Sequence, residues 1–120
     1  MVTSDLSARI NDVLRYVGIT RNMNAYMILS QALTTLIAED EDRLRAVEKE
    51  IYTPIADKTL RRPRAVQSTV RRASKVAWDF FPDRVQELAG YPLNGRPSAV
   101  TMLELLYNGV ARYDDLSILK

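Results

Sequence analysis

The chain has 120 residues, of which 47% are hydrophobic, so it carries enough apolar side chains to build a packed core. It contains neither cysteine nor histidine, which excludes disulfide frameworks, thiolate metal sites and every nucleophile that a histidine base activates. The formal net charge is +2, and no apolar run approaches the roughly 18 residues of a membrane span. The N-terminus also lacks the pattern of a signal peptide. We therefore expect a cytoplasmic protein that is not an enzyme, has no cofactor or metal, and has no membrane partner.

Hydrophobic periodicity predicts an all-α fold, a compact bundle of about six helices in a single domain over residues 1–120. The first predicted helix spans residues 4–16 and ends at Gly18, in the position that a C-terminal cap glycine occupies. The second spans residues 22–38, and its apolar residues fit one buried stripe without a miss.

The third predicted helix begins in the acidic stretch near Glu41, and Pro54 interrupts it. Because proline lacks an amide donor, we expect either a kink there or a new short helix over residues 54–59. The remaining predicted helices span residues 63–79, 82–89 and 98–110, with a loop over residues 90–97. The last of them has an apolar face of Val100, Leu103, Leu106 and Val110. Further side chains predicted to fill the core or anchor loops are Met23, Met27, Tyr52, Trp78, Tyr91 and Met102.

Positive charge is concentrated in one segment of this chain. Seven of the 17 Lys and Arg residues lie between positions 58 and 75, a window without any acid, and the rest of the chain holds ten cations against 15 acids. A nearly neutral protein with one such basic segment is typical of an anion-binding face. The alternative is an ordinary solvated helix face, which is what most charge runs are.

The predicted helix 63–79 separates these cations from small aliphatic residues. Val66, Val70, Ala73 and Ala77 fall in one narrow sector, and Arg64, Ser68, Arg71 and Lys75 fall opposite. Residues 54–79 thus form a predicted short helix, tight turn and longer helix, the arrangement of a helix-turn-helix whose second helix enters the major groove of DNA. Three arginines at the N-terminus of a helix oppose its dipole, at about 0.3–1 kcal/mol each, unless an external phosphate binds there.

The candidate contacts follow from side-chain chemistry. Arginine pairs with guanine, glutamine with adenine and serine with either, whereas arginine and lysine also hold phosphates. The base-contacting candidates are therefore Arg64, Gln67, Ser68 and Arg71. The phosphate-contacting candidates are Lys58, Arg61, Arg62, Arg72 and Lys75.

Several segments resemble one known family. They are residues 51–58 (IYTPIADK), 70–78 (VRRASKVAW), 87–91 (ELAGY) and 96–98 (RPS), together with Gly18-Ile19 and the helix from Tyr26 to Leu33. Over essentially the whole chain they resemble the C-terminal effector domain of the stage 0 sporulation protein A family of response regulators. The resemblance implies a six-helix domain with a helix-turn-helix that binds promoter DNA sequence-specifically, controls transcription, and sits as two tandem copies on adjacent sites.

The resemblance adds Ala65 to the base-contacting candidates. Family members read bases at positions that align with Ala65, Gln67 and Ser68, and they typically carry Arg, Glu and Arg there. The threonine that caps the family's recognition helix is replaced by Arg61 and Arg62. The scaffold thus matches while the base-reading residues differ, so either the target sequence has changed or specific reading has been lost.

Two further expectations concern regulation and partners. We expect this protein to lack the family's phosphoacceptor receiver domain, and we therefore expect no switching by phosphorylation through that route. Loss of the family's base-reading residues leaves open an alternative function. In that case the domain would be a receiver-less protein–protein module that modulates a related regulator or the transcription machinery, such as RNA polymerase, with little specific DNA reading.

Overall fold

The computed structural model describes residues 2–38 and 46–113 of the chain, and all regular structure in these ranges is helical. The helices are α1 (Val2–Tyr16), α2 (Asn24–Ala38), α3 (Thr53–Thr59), α4 (Pro63–Phe80), α5 (Pro82–Ala89) and α6 (Ala99–Ala111). This confirms the predicted all-α architecture of six helices. The acidic residues 39–42 and the predicted helix start near position 41 lie outside the described residues.

The turn after α1 is built on a glycine, as its sequence predicts. Gly18 has φ +87°, a left-handed conformation that glycine adopts without steric cost. The amide of Gly18 donates to the Arg15 carbonyl at 3.0 Å, and that of Ile19 donates to the Leu14 carbonyl at 2.9 Å. These two bonds form a Schellman motif, and the fully buried Leu14 and Ile19 side chains supply its apolar contact.

Pro54 lies at the start of a short helix, α3, which is the second of the two alternatives that the sequence offered. A π-helical turn, Glu48–Tyr52, leads directly into α3, and Tyr52 has helical angles, φ −67° and ψ −44°. Pro54 then lies in the first turn of α3, where a missing amide donor removes no hydrogen bond of that helix.

One cluster of buried apolar side chains joins all the described elements. The predicted stripes of α1, α2 and α4 lie in it, as do Tyr52 and Met102, and Trp78 packs against it half-buried. Two core predictions are wrong: Met27 is 38% exposed because it lies off the buried stripe of α2, and Val100 is 42% exposed because the first turn of α6 borders an open groove.

The longest helix, α4, lies at the centre of the arrangement that positions the candidate site. It packs against α2, α3, α5, α6 and the π-helical turn. The Cα radius of gyration is 13.2 Å, close to the value of about 13.6 Å for a compact chain of this length. No helix in the described ranges has both the length and the apolar character to cross a bilayer.

Candidate nucleic-acid interface

The turn between α3 and α4 uses an unusual residue for its conformation. Leu60 has φ 56° and ψ 39°, the left-handed region that usually selects glycine, and its side chain is 95% exposed. The amides of Leu60 and Arg61 both donate to the Ala56 carbonyl, the latter at 2.9 Å. This closes the end of α3 and turns the chain sharply into α4, which gives the short helix, tight turn and long helix of a helix-turn-helix.

The N-terminus of α4 is open and carries no negative charge. Arg62, the N-cap residue, is extended with φ −87° and ψ 147°, and its side chain makes no capping hydrogen bond. Pro63 occupies the first helical position, and the first turn contains no acidic residue. The dipole of α4 and its flanking arginines therefore both favour an anion at this end.

The residues predicted to read bases follow one another along the first half of α4. Arg64, Ala65 and Arg71 are exposed, whereas Gln67 and Ser68 are half-buried. The opposite side of α4 is buried through Val66, Thr69, Val70, Ala73, Ser74 and Ala77. The helix therefore has the predicted division into a packed face and a polar, cationic face.

The residues predicted to hold phosphates surround this cationic face. Lys58, Arg62 and Arg72 are exposed, and Arg61 is half-buried. Lys75 is the member of this set that meets a described carboxylate: its Nζ lies 2.7 Å from Oδ2 of Asp79, and the two side chains are 58% and 46% exposed. Such an exposed pair contributes less than about 1 kcal/mol, so an approaching phosphate can compete with Asp79.

Two polar side chains of α4, those of Thr69 and Ser74, are buried although the sequence pattern did not predict it. Thr69 donates its hydroxyl proton to the Ala65 carbonyl at 3.0 Å, within the helix. Ser74 is 1% exposed and donates to the carbonyl of Pro97 at 3.0 Å. This long-range bond attaches the α5–α6 loop to α4, so it fixes where Arg96 lies relative to the cationic face.

A groove of about 490 Å³ opens between the attached loop and α4. Its polar lining includes Gln67 and Arg71 of α4, Arg96 of the loop and Tyr52 of the π-helical turn. Burial raises the pKa of the Tyr52 hydroxyl, and the nearby Arg71 guanidinium acts in the opposite direction. Nothing in the sequence pattern predicted Arg96 or Tyr52 on this side of α4, because the two residues share a groove only in the folded chain.

The first turn of α6 forms the remaining wall of the groove through Ser98, Ala99 and Val100. Ser98 is the N-cap: its side chain accepts a hydrogen bond from the Thr101 amide at 3.2 Å. Serine is a preferred N-cap, so this helix start was recognisable in the sequence, but its position beside α4 was not.

Comparison with known proteins supports the same assignment as the geometry. No solved structure matches this chain. A family model described as the sporulation initiation factor Spo0A C terminal matches residues 10–110, a range that contains α2 to α5 and almost all of α6. That family is not an enzymatic one. The chain therefore belongs to the Spo0A C-terminal family and is a DNA-binding, effector-type domain of the sporulation regulators.

Proposed function

We propose that this domain regulates transcription by binding promoter DNA, with the first half of α4 in the major groove. The observation that carries the proposal is the cationic face of α4: within the described residues, Arg62, Arg64, Arg71 and Arg72 are exposed and meet no carboxylate. The opposite face of the same helix is buried, so the orientation of these side chains is fixed by the core. Cytoplasmic DNA is the polyanion that such a surface fits.

Base reading is assigned to Arg64, Ala65, Gln67, Ser68 and Arg71. The two arginines suit guanine, Gln67 suits adenine, Ser68 suits either, and the Ala65 methyl suits the methyl group of thymine. Gln67 and Ser68 are half-buried, so they reach only bases that come close to the axis of α4. The expected target therefore differs from that of relatives that carry charged residues at these positions.

Phosphate binding is assigned to Lys58, Arg61, Arg62, Arg72 and Lys75. If each neutralises one phosphate, the logarithm of the association constant falls against that of salt with a slope of about −4.5. Between about 50 and 200 mM salt this corresponds to a loss of affinity of a few hundred-fold.

The direct experiment is selection of bound sequences from random duplex DNA at moderate salt, followed by fluorescence anisotropy on the selected duplex. We expect a consensus and a steep salt dependence. Arg71→Ala should weaken binding to the selected duplex by about tenfold or more, because it removes a charge-assisted contact to a base edge. Arg15→Ala, which removes another exposed arginine, from α1, is the matched control and should leave binding unchanged.

A second candidate function is a protein–protein module, and one observation favours it. Val76 and Phe80 lie one turn apart on the second half of α4 and are 38% and 73% exposed. An exposed apolar pair of this kind suits a protein contact, either a second copy in tandem on DNA or a partner such as RNA polymerase or a related regulator. If selection yields no consensus while Phe80→Ser abolishes capture of such a partner, this function replaces the first.

A further inference from the structure

The groove beside α4 is lined by hydrogen-bond donors of two arginines, and no carboxylate among the described residues that line it accepts from them. Arg71 and Arg96 line it from two different elements, and within the described residues neither guanidinium meets a carboxylate. The amide of Gln67 adds a further polar group. No acidic side chain is among the described residues that line the groove. The electrostatic potential in the groove is therefore positive, and its donors point to an anionic occupant.

The N-terminus of α6 contributes two backbone donors to the same groove. Ser98 satisfies the Thr101 amide, whereas the amides of Ala99 and Val100 find no acceptor in the described part of the chain. The first turn of this 13-residue helix contains no acidic residue that would neutralise its dipole. Free amides at the start of a helix commonly form a binding site for a phosphate group.

An independent observation comes from the buried end of the groove. Tyr52 is 2% exposed, and its hydroxyl has no hydrogen-bond partner in the part of the chain that the structure describes. A buried hydroxyl without a partner is unfavourable, and folded proteins rarely leave one. Tyr52 lines the groove, so a ligand oxygen that enters its inner end would give this hydroxyl an acceptor.

We propose that this groove is an oxyanion site that takes a phosphate group between Arg71, Arg96, the Tyr52 hydroxyl and the first amides of α6. Its volume of about 490 Å³ falls in the range of small-molecule sites, so the groove has room for a molecule larger than phosphate itself. The group is either the phosphate of a soluble metabolite or a phosphodiester of bound DNA. Arg71 belongs both to this site and to the base-contacting face, so occupancy by a soluble phosphate competes with DNA.

The test uses the full chain, labelled with nitrogen-15, and inorganic phosphate as the probe. Phosphate is titrated against sodium chloride at constant ionic strength while amide and arginine Nε–H resonances are followed. We expect saturable shifts at Ala99, Val100 and Arg96. Shifts that do not saturate, or that chloride reproduces, overturn the proposal.

Matched variants separate the site from general attraction to a basic protein. Arg96→Gln should weaken phosphate binding by about tenfold, the effect of losing one charge-assisted hydrogen bond. Arg15→Gln removes the same charge from an exposed position of α1, outside the groove, and should leave phosphate binding unchanged. Equal losses in the two variants contradict the site. Tyr52→Phe should weaken phosphate binding several-fold without lowering the free energy of unfolding measured in chloride.

A second arm identifies the source of the phosphate, and it rests on the proposed DNA binding. If the groove holds a DNA phosphodiester, Arg96→Gln lowers affinity for the selected duplex in chloride buffer. If it holds a soluble ligand, Arg96→Gln leaves that affinity unchanged, and phosphate weakens the duplex complex of the unmodified chain beyond the effect of ionic strength. Absence of any DNA binding would overturn the proposed function and leave the result of the phosphate titration standing.

Discussion

Two turns of this domain reverse the chain with the same left-handed backbone conformation, but they use different residues in different surroundings. After α1 the chain reverses through Gly18, and after α3 it reverses through Leu60, and both residues adopt left-handed angles. In each turn the following amide, of Ile19 or Arg61, donates to the carbonyl five residues earlier. The first turn is covered by the Phe81 ring, whereas the second exposes an apolar side chain almost completely.

The difference between the turns is that the left-handed backbone is strained at Leu60 and unstrained at Gly18. A left-handed conformation costs a non-glycine residue roughly 1–2 kcal/mol, and Leu60 offsets none of that cost by burial. Residues that keep such strain occur preferentially at functional sites. The Leu60 turn directs Arg61 and Arg62 toward the open end of α4, so its strain lies at the candidate DNA interface.

The largest loss of stability is expected from a substitution in the Gly18 turn, which the Phe81 ring covers. Gly18→Ala should destabilise the domain by about 2–4 kcal/mol, because the left-handed backbone disfavours alanine and the new methyl meets a packed ring. A Cβ at this position would lie 2.5 Å from Cε2 of Phe81. Urea unfolding followed by circular dichroism measures the change. A loss below about 1 kcal/mol would show that the turn relaxes and that the contrast is overstated.

The next largest change in the free energy of unfolding is expected at the buried hydrogen bond between Ser74 and Pro97. Ser74→Ala removes the donor to the Pro97 carbonyl and should cost about 1–3 kcal/mol, since a buried acceptor is left without a partner. Thr34→Ala is a control: its hydroxyl also bonds a carbonyl, that of Ser30 at 2.8 Å, but in an exposed part of α2. We expect the control to change the free energy of unfolding by less than about 0.5 kcal/mol. Equal effects in the two variants would contradict an anchoring role for Ser74.

The exposed turn should respond in the opposite direction to Gly18. Leu60→Gly should stabilise the domain by about 1 kcal/mol, because it relieves the left-handed strain and loses no buried surface. The relief is partly offset by the greater freedom of glycine in the unfolded chain. Leu60→Ala, which keeps the strain and removes the bulk, is the control and should be close to neutral. Destabilisation by Leu60→Gly would mean that the leucine side chain makes a stabilising contact.

The smallest effect concerns pH and the last turn of α1. Burial and the neighbouring Glu87 raise the pKa of Tyr16, while Arg84 acts in the opposite direction. Because the folded-state pKa is raised above the unfolded value of about 10, the neutral phenol stabilises the fold fully below that pH. This contribution is lost as pH rises through the raised pKa. Tyr16→Phe should therefore show a smaller loss of stability in urea titrations above about pH 10 than the unmodified chain.

Helical periodicity predicted most of the fold because its signal is local. The stripes of α1, α2 and α4, the Gly18 cap and the helix-turn-helix all depend on residues close together in the chain, and all are confirmed. The placement of Arg64 to Arg71 on one helix was predictable for the same reason, whereas their contacts with DNA stay a prediction.

Features that depend on distant segments were not predictable from the sequence. The Ser74–Pro97 bond joins residues 23 positions apart, and the groove brings together Tyr52 of the π-helical turn and Arg96 of the α5–α6 loop. The exposure of Val100 follows from the same groove, so the apolar pattern of α6 alone gave the wrong prediction. A leucine in the left-handed turn was equally unexpected, because the preference for glycine there is statistical and a functional surface can override it.

The exposed tip at Leu60 also provides a place to attach a reporter. The sequence contains no cysteine, so Leu60→Cys gives the chain a single thiol for a fluorophore, spin label or photocrosslinker. Cysteine replaces leucine there without adding backbone strain, since both residues carry a Cβ in the same left-handed conformation. A label at this position stands next to whatever molecule approaches the start of α4, and crosslinking from it would identify that molecule directly in a cell extract.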